Sequence, residues 1–367
     1  MECGGKRSGA LDETLSEETK GPSLPTRRDS VAAVHSLSRN ETHHAPRMAV
    51  AVDLGGTNLR AALIDEQGQI HFRLRQRTPQ TGDHDEVVES LVAAARECEN
   101  YARQAQNRVA AGCVVVPGTI DSLNETVIQA PNIRALDQFP LRSVLQEQLG
   151  WQVLLENDAN AAAIGEMWLG AGRGFKTIAC LTLGTGVGGG LILDEKLWRG
   201  ADGTAGEFGH AAVEPLGGES CKCGNEGCLE MYASATAIMR MTNEARPRFP
   251  HSPLFAREDL TARDVYDSGV AGDPLALEVF ERVGTYLGIA LASLVNVLNP
   301  EMIIIAGGVA NGWRLFEKRM REEVSNRAFP VPAARVKIVA AECSDDAGLL
   351  GAAQLAFESA GIDSVSG

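Results

Sequence analysis

Apolar and polar positions along the chain alternate in a way that predicts two rounds of strand and helix. MAVAVDL, starting at Met48, reads as an apolar strand, LRAALID as a second and IHFRLRQRT as a third, the last two joined through the polar turn Glu66-Gln67-Gly68-Gln69. Three such strands in succession predict an antiparallel meander. A helix is expected over roughly 84–107, because Val87, Leu91, Ala94 and Ala95 recur at helical spacing. The strand AAGCVVVPG, a further strand near TVIQA, a helix around 141–149 and the strand QVLLEND complete the first round.

The second round begins at Thr177, where TIACLTLG and GGGLILD read as strands around a glycine turn spanning 184–190. Helices over about 233–245 and 274–298, the strand EMIIIAGG, a helix near Leu315, the strand VKIVAA and a last helix from Ala347 follow. Each half opens with a strand, a glycine turn and a strand. That repetition predicts an internal duplication with a cleft between the halves.

At 367 residues and 44% hydrophobic, the chain is long enough for two domains, and no apolar run reaches the 18 or so residues of a membrane span. A net charge of −14 argues against a nucleic-acid backbone as partner. The first 47 residues contain no Phe, Trp or Tyr, three prolines and balanced charge, so a disordered tail is expected there. This stretch lacks the apolar segment of a secretory signal, which leaves a cytoplasmic location as the expectation. Met48, directly before the first strand, is an alternative start.

Candidate chemistry enters at the glycine turns. Asp53-Leu54-Gly55-Gly56-Thr57-Asn58 lies between two strands, so its glycines let backbone N–H groups approach a polyanion while Thr57 and Asn58 add side-chain donors. Asp53, at the strand end, is a candidate for magnesium through water. The run Leu183 to Gly190, with Gly184, Thr185 and Gly186 at its tip, repeats the device, and two facing hairpins suit a triphosphate. Neither is a P-loop or a dinucleotide fingerprint. Gly307 and Gly308 end a strand before a helix, a turn that suits a nucleoside lying flat on backbone.

Asp158, in Glu156-Asn157-Asp158-Ala159-Asn160, stands where a strand meets an Ala-rich helix. It reads either as a helix N-cap or as the carboxylate that takes a proton from an attacking hydroxyl. Asn132, Asn157, Glu207, His210 and Glu230 are short polar groups of the kind that hydrogen-bond a polyol.

His210, Cys221, Cys223 and Cys228 are spaced G-H-x10-C-x-C-x4-C, a set that suits one tetrahedral structural zinc, with Gly224 and Gly227 supplying tight turns. Glu207 and Glu230 bracket the group. The alternative is ordinary thiols, the reading given to Cys98, Cys113, Cys180 and Cys343, which lie far apart like small buried hydrophobes. Cys3 falls in the tail. A disulfide framework does not fit so long a chain.

DLGGTNLR, VPGTID, APNIR, ENDANAAA, LGTGVGGG, GEFGH, CKCGNEGCLE and NPEMIIIAGGV, in that order over about 48–357, resemble the ROK family of sugar kinases and repressors. The resemblance implies a two-domain α/β actin-like or hexokinase-like ATPase fold. The expected division is a tail over 1–47, a first domain over 48–160 and a second over 161–367, with the zinc segment at 207–230 and the C-terminal helix packing back on the first domain. It further implies that Asp158 is the general base, that Asn132, Asn157, Glu207, His210 and Glu230 contact the sugar, and that His210 also ligates zinc. Gly56, Thr57, Gly184, Thr185 and Gly186 fall to phosphates, with Gly55 and Asn58 in the same turn, and Gly307 and Gly308 to adenosine.

GCLE followed by YASATAI is most similar to the bacterial glucokinases of the group. The implied activity is ATP-dependent phosphorylation of a hexose at the 6-hydroxyl, with Mg2+ and structural Zn2+, in a homodimer or larger homo-oligomer. N-acylmannosamine, N-acetylglucosamine and fructose kinases stay open as alternatives. A sugar-responsive repressor is disfavoured by a leader with Pro22 and Pro25 close together and no periodic apolar face. A dead sensor would be expected to lose the acid, and Asp158 is present.

Overall fold

Two five-stranded sheets of the same topology stand back to back across a pair of helices in the computed structural model, which describes residues 47–121 and 126–361. The expectations for the tail and for Cys3 lie outside the described residues, except that Arg47 already belongs to the first strand. The first sheet contains β1 (Arg47–Leu54), β2 (Asn58–Asp65), β3 (Ile70–Arg77), α1 (His84–Gln104) as its first covering helix, and β4 (Arg108–Val116). The short β5 (Thr119–Asp121) and β6 (Thr126–Gln129) pair separately, and α2 (Leu141–Leu149) and β7 (Val153–Asn157) complete the sheet in the order β3-β2-β1-β4-β7. β1 pairs antiparallel with β2 and parallel with β4, so it is shielded on both edges, and its apolar run is buried almost throughout.

α3 (Asp158–Leu169) then leads to β8 (Ile178–Leu183), β9 (Val187–Leu193) and β10 (Lys196–Leu197). After the cysteine-rich segment come α4 (Glu230–Ala233), α5 (Ala235–Ala245), α6 (Ala262–Val270), α7 (Pro274–Leu298), β11 (Met302–Ala306), α8 (Trp313–Arg327), α9 (Pro330–Arg335), β12 (Lys337–Ala340) and α10 (Ala347–Ser359). The second sheet runs β10-β9-β8-β11-β12, which repeats the first element for element, a hairpin edge followed by parallel strands. The repeat foreseen from the glycine turns is therefore present in the topology. The helix expected over 233–245 is broken at Ser234, whose hydroxyl accepts from Ala237 N–H and caps α5.

Four apolar clusters fill the layers. Val87, Leu91 and Leu145 pack under α1 and α2 on the outer face of the first sheet, and Phe280, Leu287 and Phe316 lie under the helices outside the second. Between the sheets, Ala161 and Trp168 of α3 and Leu349 and Phe357 of α10 meet the first, while Ala163 and Ile164 of α3 meet Ile178, Ile192 and Ile304 of the second. α3 is thus buried nearly all round, as its Ala-rich sequence permits. A boundary at 160/161 passes through this helix, which both halves share.

α3 and α10 touch backbone to backbone. A Cβ on Gly165 would overlap the Ala347 carbonyl oxygen, and one on Gly351 the Ala161 carbonyl oxygen. Only glycine permits that approach.

Candidate active site

The site gathers at the carboxyl ends of β1, β7 and β8. In the turn after β1, Gly55 N–H donates to the Asn58 carbonyl at 2.9 Å, and after β8, Gly184 N–H donates to the Gly186 carbonyl at 2.9 Å. Those first N–H groups are spent on closing the turns, so Gly55 and Gly184 shape the loops without donating outward. The N–H groups of Gly56, Thr57, Thr185 and Gly186 have no partner among the described residues, a pair of donor clusters of the kind that cradle an anion. A Cβ on Gly56 would come within 2.9 Å of Asn132 Cβ, and one on Gly186 would collide with Glu230 Oε2. The glycines therefore let each turn press against a polar side chain of the same half of the chain.

Asp158 opens α3, yet it does not cap it. Asn157 takes that role: its Oδ1 accepts from Ala159 N–H at 2.9 Å and Asn160 N–H at 3.2 Å, and its Nδ2 donates to the Gly118 carbonyl at 2.9 Å. The capping alternative for Asp158 is thereby corrected, and its carboxylate, aside from Ala159 N–H at 2.9 Å, is left facing the cavity. Its pKa is pushed up to about 6, first by burial deep in the protein mass and next by the Asp53 carboxylate, with a smaller push from Glu207 and an opposing pull from Ala159 N–H. The side chain is nonetheless open to solvent through the cavity. Water reaching the carboxylate through that opening weakens the effect of burial. The positive end of α3 also favours the ionised form.

Asp53, the magnesium candidate, is paired with Arg60 through Oδ2 and lies off the cavity wall. Arg60 in turn donates to the Asp345 carbonyl at 2.7 Å. One carboxylate oxygen of Asp53 is left free of the guanidinium. Thr57 and Asn58 are likewise off the wall, and Asn58 Oδ1 accepts from Arg75 Nε at 3.4 Å.

A cavity of about 620 Å3 is lined by Gly55, Gly56, Asn132, Asn157, Asp158, Gly184, Thr185, Gly186, Glu207, His210, Glu230 and Gly307. Residues that are far apart in sequence thus share one hollow. Glu230 Oε2 accepts from Val187 N–H at 3.0 Å, which ties this acid to the second glycine turn. His210 Nε2 faces Glu207 Oε2 at 3.8 Å, whereas its Nδ1 faces Cys221 Sγ at 3.7 Å.

A second, more apolar cavity of about 460 Å3 adjoins the first through Gly184 and Thr185 and is walled by Ile238, Tyr266, Phe280, Gly308 and Asn311. Gly307, at φ +87°, stands in the larger cavity and Gly308 in the smaller, so this turn marks their junction. The contribution of α6 was not foreseen. A signal existed: Thr261 and Asp264 form a reciprocal capping box, which is readable as a helix start.

The four ligand atoms of His210, Cys221, Cys223 and Cys228 lie within 4.8 Å of one another. Cys223 Sγ and Cys228 Sγ are 3.6 Å apart, close to the edge of about 3.7 Å that a tetrahedron of Zn–S bonds requires. The donor set and spacing fit zinc. Of the four, only His210 lines the cavity, and Cys223 is exposed. Of the lone cysteines, Cys98, Cys113 and Cys180 are buried as expected; Cys343 is only partly so, and its N–H donates to Glu166 at 2.7 Å.

Comparison with known proteins gives a consistent picture. The ROK family model matches residues 49–359. A glucokinase of Thermotoga maritima is 36% identical over 85% of this chain and 98% of its own length. The crystal structure of a ROK family glucokinase from Streptomyces griseus, in complex with glucose and AMPPNP, superposes with a TM-score of 0.72 at 33% identity, covering 85% of this chain and 99% of that one. A xylose repressor of Caldicellulosiruptor bescii is 30% identical over 82% of this chain but 76% of its own length.

Proposed function

For a chain that belongs to the ROK family, as this one does over residues 49–359, we propose ATP-dependent transfer of a phosphoryl group to the 6-hydroxyl of a hexose, with glucose as the substrate. One observation carries the reading: a single hollow holds an unpaired carboxylate, two glycine turns with free N–H groups and four side chains suited to sugar hydroxyls, Asn132, Glu207, His210 and Glu230. The adjoining apolar cavity suits a nucleobase. The glucokinases at 36–37% identity, which this chain covers over 93–98% of their length, support the choice of glucose.

Mg-ATP enters as substrate with its base in the apolar cavity and its phosphates between the two turns. Gly56, Thr185 and Gly186 offer backbone N–H groups where negative charge is spread over the transferring phosphoryl oxygens. Asp158 accepts the proton of the 6-hydroxyl as that oxygen forms its bond to the γ-phosphorus and ADP leaves. With a pKa near 6 the carboxylate is largely ionised at neutral pH, yet basic enough to hold the proton. Asn157 spends its oxygen on the α3 cap and one amide hydrogen on Gly118, so it offers a sugar at most its second amide hydrogen.

His210, Cys221, Cys223 and Cys228 hold zinc in this reading, and the ion supplies structure, not reactivity. With Nδ1 given to the metal, the His210 tautomer is set and Nε2 carries a proton for a sugar hydroxyl or Glu207.

The test is a coupled assay of ADP release across glucose, mannose, fructose, N-acetylglucosamine and N-acetylmannosamine. Glucose as the clear winner supports the proposal; another winner moves the substrate within the family; silence on all five with ATP favours a sugar-responsive regulator. That second reading draws on the xylose repressor relatives, of which this chain spans 76–77% where coverage is greatest.

A further inference from the structure

We infer that Arg199, through its ion pair with Glu156, is a positioning residue that locks the loop leading to Glu207 onto the turn carrying Asp158, so that sugar contacts and proton acceptor are set as one unit. This rests on the kinase reading above and adds a residue pair to it.

Glu156 is 4% exposed, at the end of β7 and two residues before Asp158. A carboxylate so buried is stable only with partners. Its Oε1 accepts from Asn157 N–H at 3.0 Å and from Asn160 Nδ2 at 2.9 Å, so it grips the turn on both sides of Asp158. Its Oε2 accepts from Arg199 Nε at 2.9 Å and Nη2 at 2.6 Å.

Arg199 comes from the other half of the molecule, two residues beyond β10. Its carbonyl accepts from Ala205 N–H at 3.0 Å, closing a loop in which Thr204 Oγ1 donates to Asp202 Oδ1 at 2.6 Å. Gly203, Thr204 and Ala205 line the larger cavity, and Glu207, one residue further on after Gly206, lines it too. One guanidinium thus links the sugar-side loop of the second sheet to the base-bearing turn of the first. Only the Glu156 side of the pair is buried, Arg199 being half-exposed, and stability alone does not demand the arrangement, since even fully buried ion pairs are often replaceable by apolar side chains without loss. Geometry does: the pair fixes two walls of one hollow relative to each other, and a misplacement of about 1 Å in such a site costs on the order of 100-fold in rate.

The experiment compares full-length Arg199→Ala, Arg199→Lys and Glu156→Gln with wild type, varying glucose and ATP separately and correcting rates for the folded fraction from thermal melts. Arg199→Ala should lower kcat about 10- to 100-fold and raise the KM for sugar, with the KM for ATP within about twofold of wild type. Arg199→Lys should recover part of the loss, because an ammonium replaces two bonds to Oε2 by one. Glu156→Gln should show the same split in KM, and decides the matter if Arg199→Ala does not fold. Wild-type kcat and sugar KM in Arg199→Ala and Glu156→Gln, with only a lower melting temperature, would overturn the inference, as would an equal rise in both KM values. A lysine variant no better than alanine at similar stability counts against it too. Silence of the wild type on every sugar is a different failure, that of the kinase reading itself.

Discussion

Replacing the Asp158 carboxylate by an amide should cost turnover while making the fold more stable. A positioned base contributes roughly 10²- to 10⁴-fold, about 3–5 kcal/mol of barrier, so Asp158→Asn should fall by that much in kcat. Glucose affinity should stay close to wild type, because Asn132, Glu207, His210 and Glu230 are untouched. With its pKa near 6, Asp158 is about half ionised at pH 6 and about one-tenth ionised at pH 5, so kcat/KM of the wild type should drop some tenfold between pH 7 and 5. The stability effect has the opposite sign. A carboxyl whose folded pKa lies above its unfolded value of 3.8 binds its proton more tightly in the native state, which costs stability above pH 6 and nothing below pH 3.8. The full rise would amount to about 3 kcal/mol, but solvent in the cavity screens the group, so we expect about 1 kcal/mol and a rise in Tm of about 1–2 °C at pH 8, vanishing near pH 4. Coupled ADP-release kinetics over pH 5–8 and melting curves at pH 4 and 8 measure both. Wild-type-like turnover in Asp158→Asn, or a kcat/KM profile flat from pH 5 to 7, would refute the assignment of the base.

The other predictions concern the walls of the site. Cys223→Ser, at the exposed thiol of the proposed zinc site, should lower the zinc content by metal analysis and weaken glucose binding, since His210 and the segment to Glu230 would lose a shared anchor; an unchanged metal content would exclude Cys223 as a ligand. Gly186→Ala should place a methyl against Glu230 and break the bond to Val187 N–H, raising the KM for both glucose and ATP by tenfold or so, measured by steady-state kinetics. Tyr266→Ala, at the wall of the apolar cavity beneath the Arg263 and Arg314 guanidinium groups, should raise the KM for ATP several-fold with the KM for glucose unchanged.

What was legible in the sequence is what local pattern encodes. The meander, the repeated strand–glycine–strand unit and the helix starting near His84 follow from periodicity, and the matching strand orders of the two sheets follow from that repeat. Many of the polar residues singled out by type line one cavity, but how each is oriented there was not legible. Asn157 and Asp158 are neighbours with similar capping propensity, and only the backbone direction at the start of α3 hands the cap to one and the cavity to the other. Arg199 carries no local mark at all, because its partner lies 43 residues earlier, on the other sheet. Thr57 and Asn58 were placed among the side-chain donors from their position in a turn, yet a two-sided turn aims only some of its residues inward, and which ones depends on the packing of Gly56 against Asn132.

The contact between Gly165 and Gly351 has an evolutionary corollary. A seam built from main chain has no rotamers to repack, so it cannot absorb a larger residue by rearranging neighbours, and a single added methyl at either position wedges apart the scaffold on which the reaction centre stands. Substitutions should therefore drift freely over the outer helices and halt at these two positions, where the chain tolerates the absence of a side chain and nothing else.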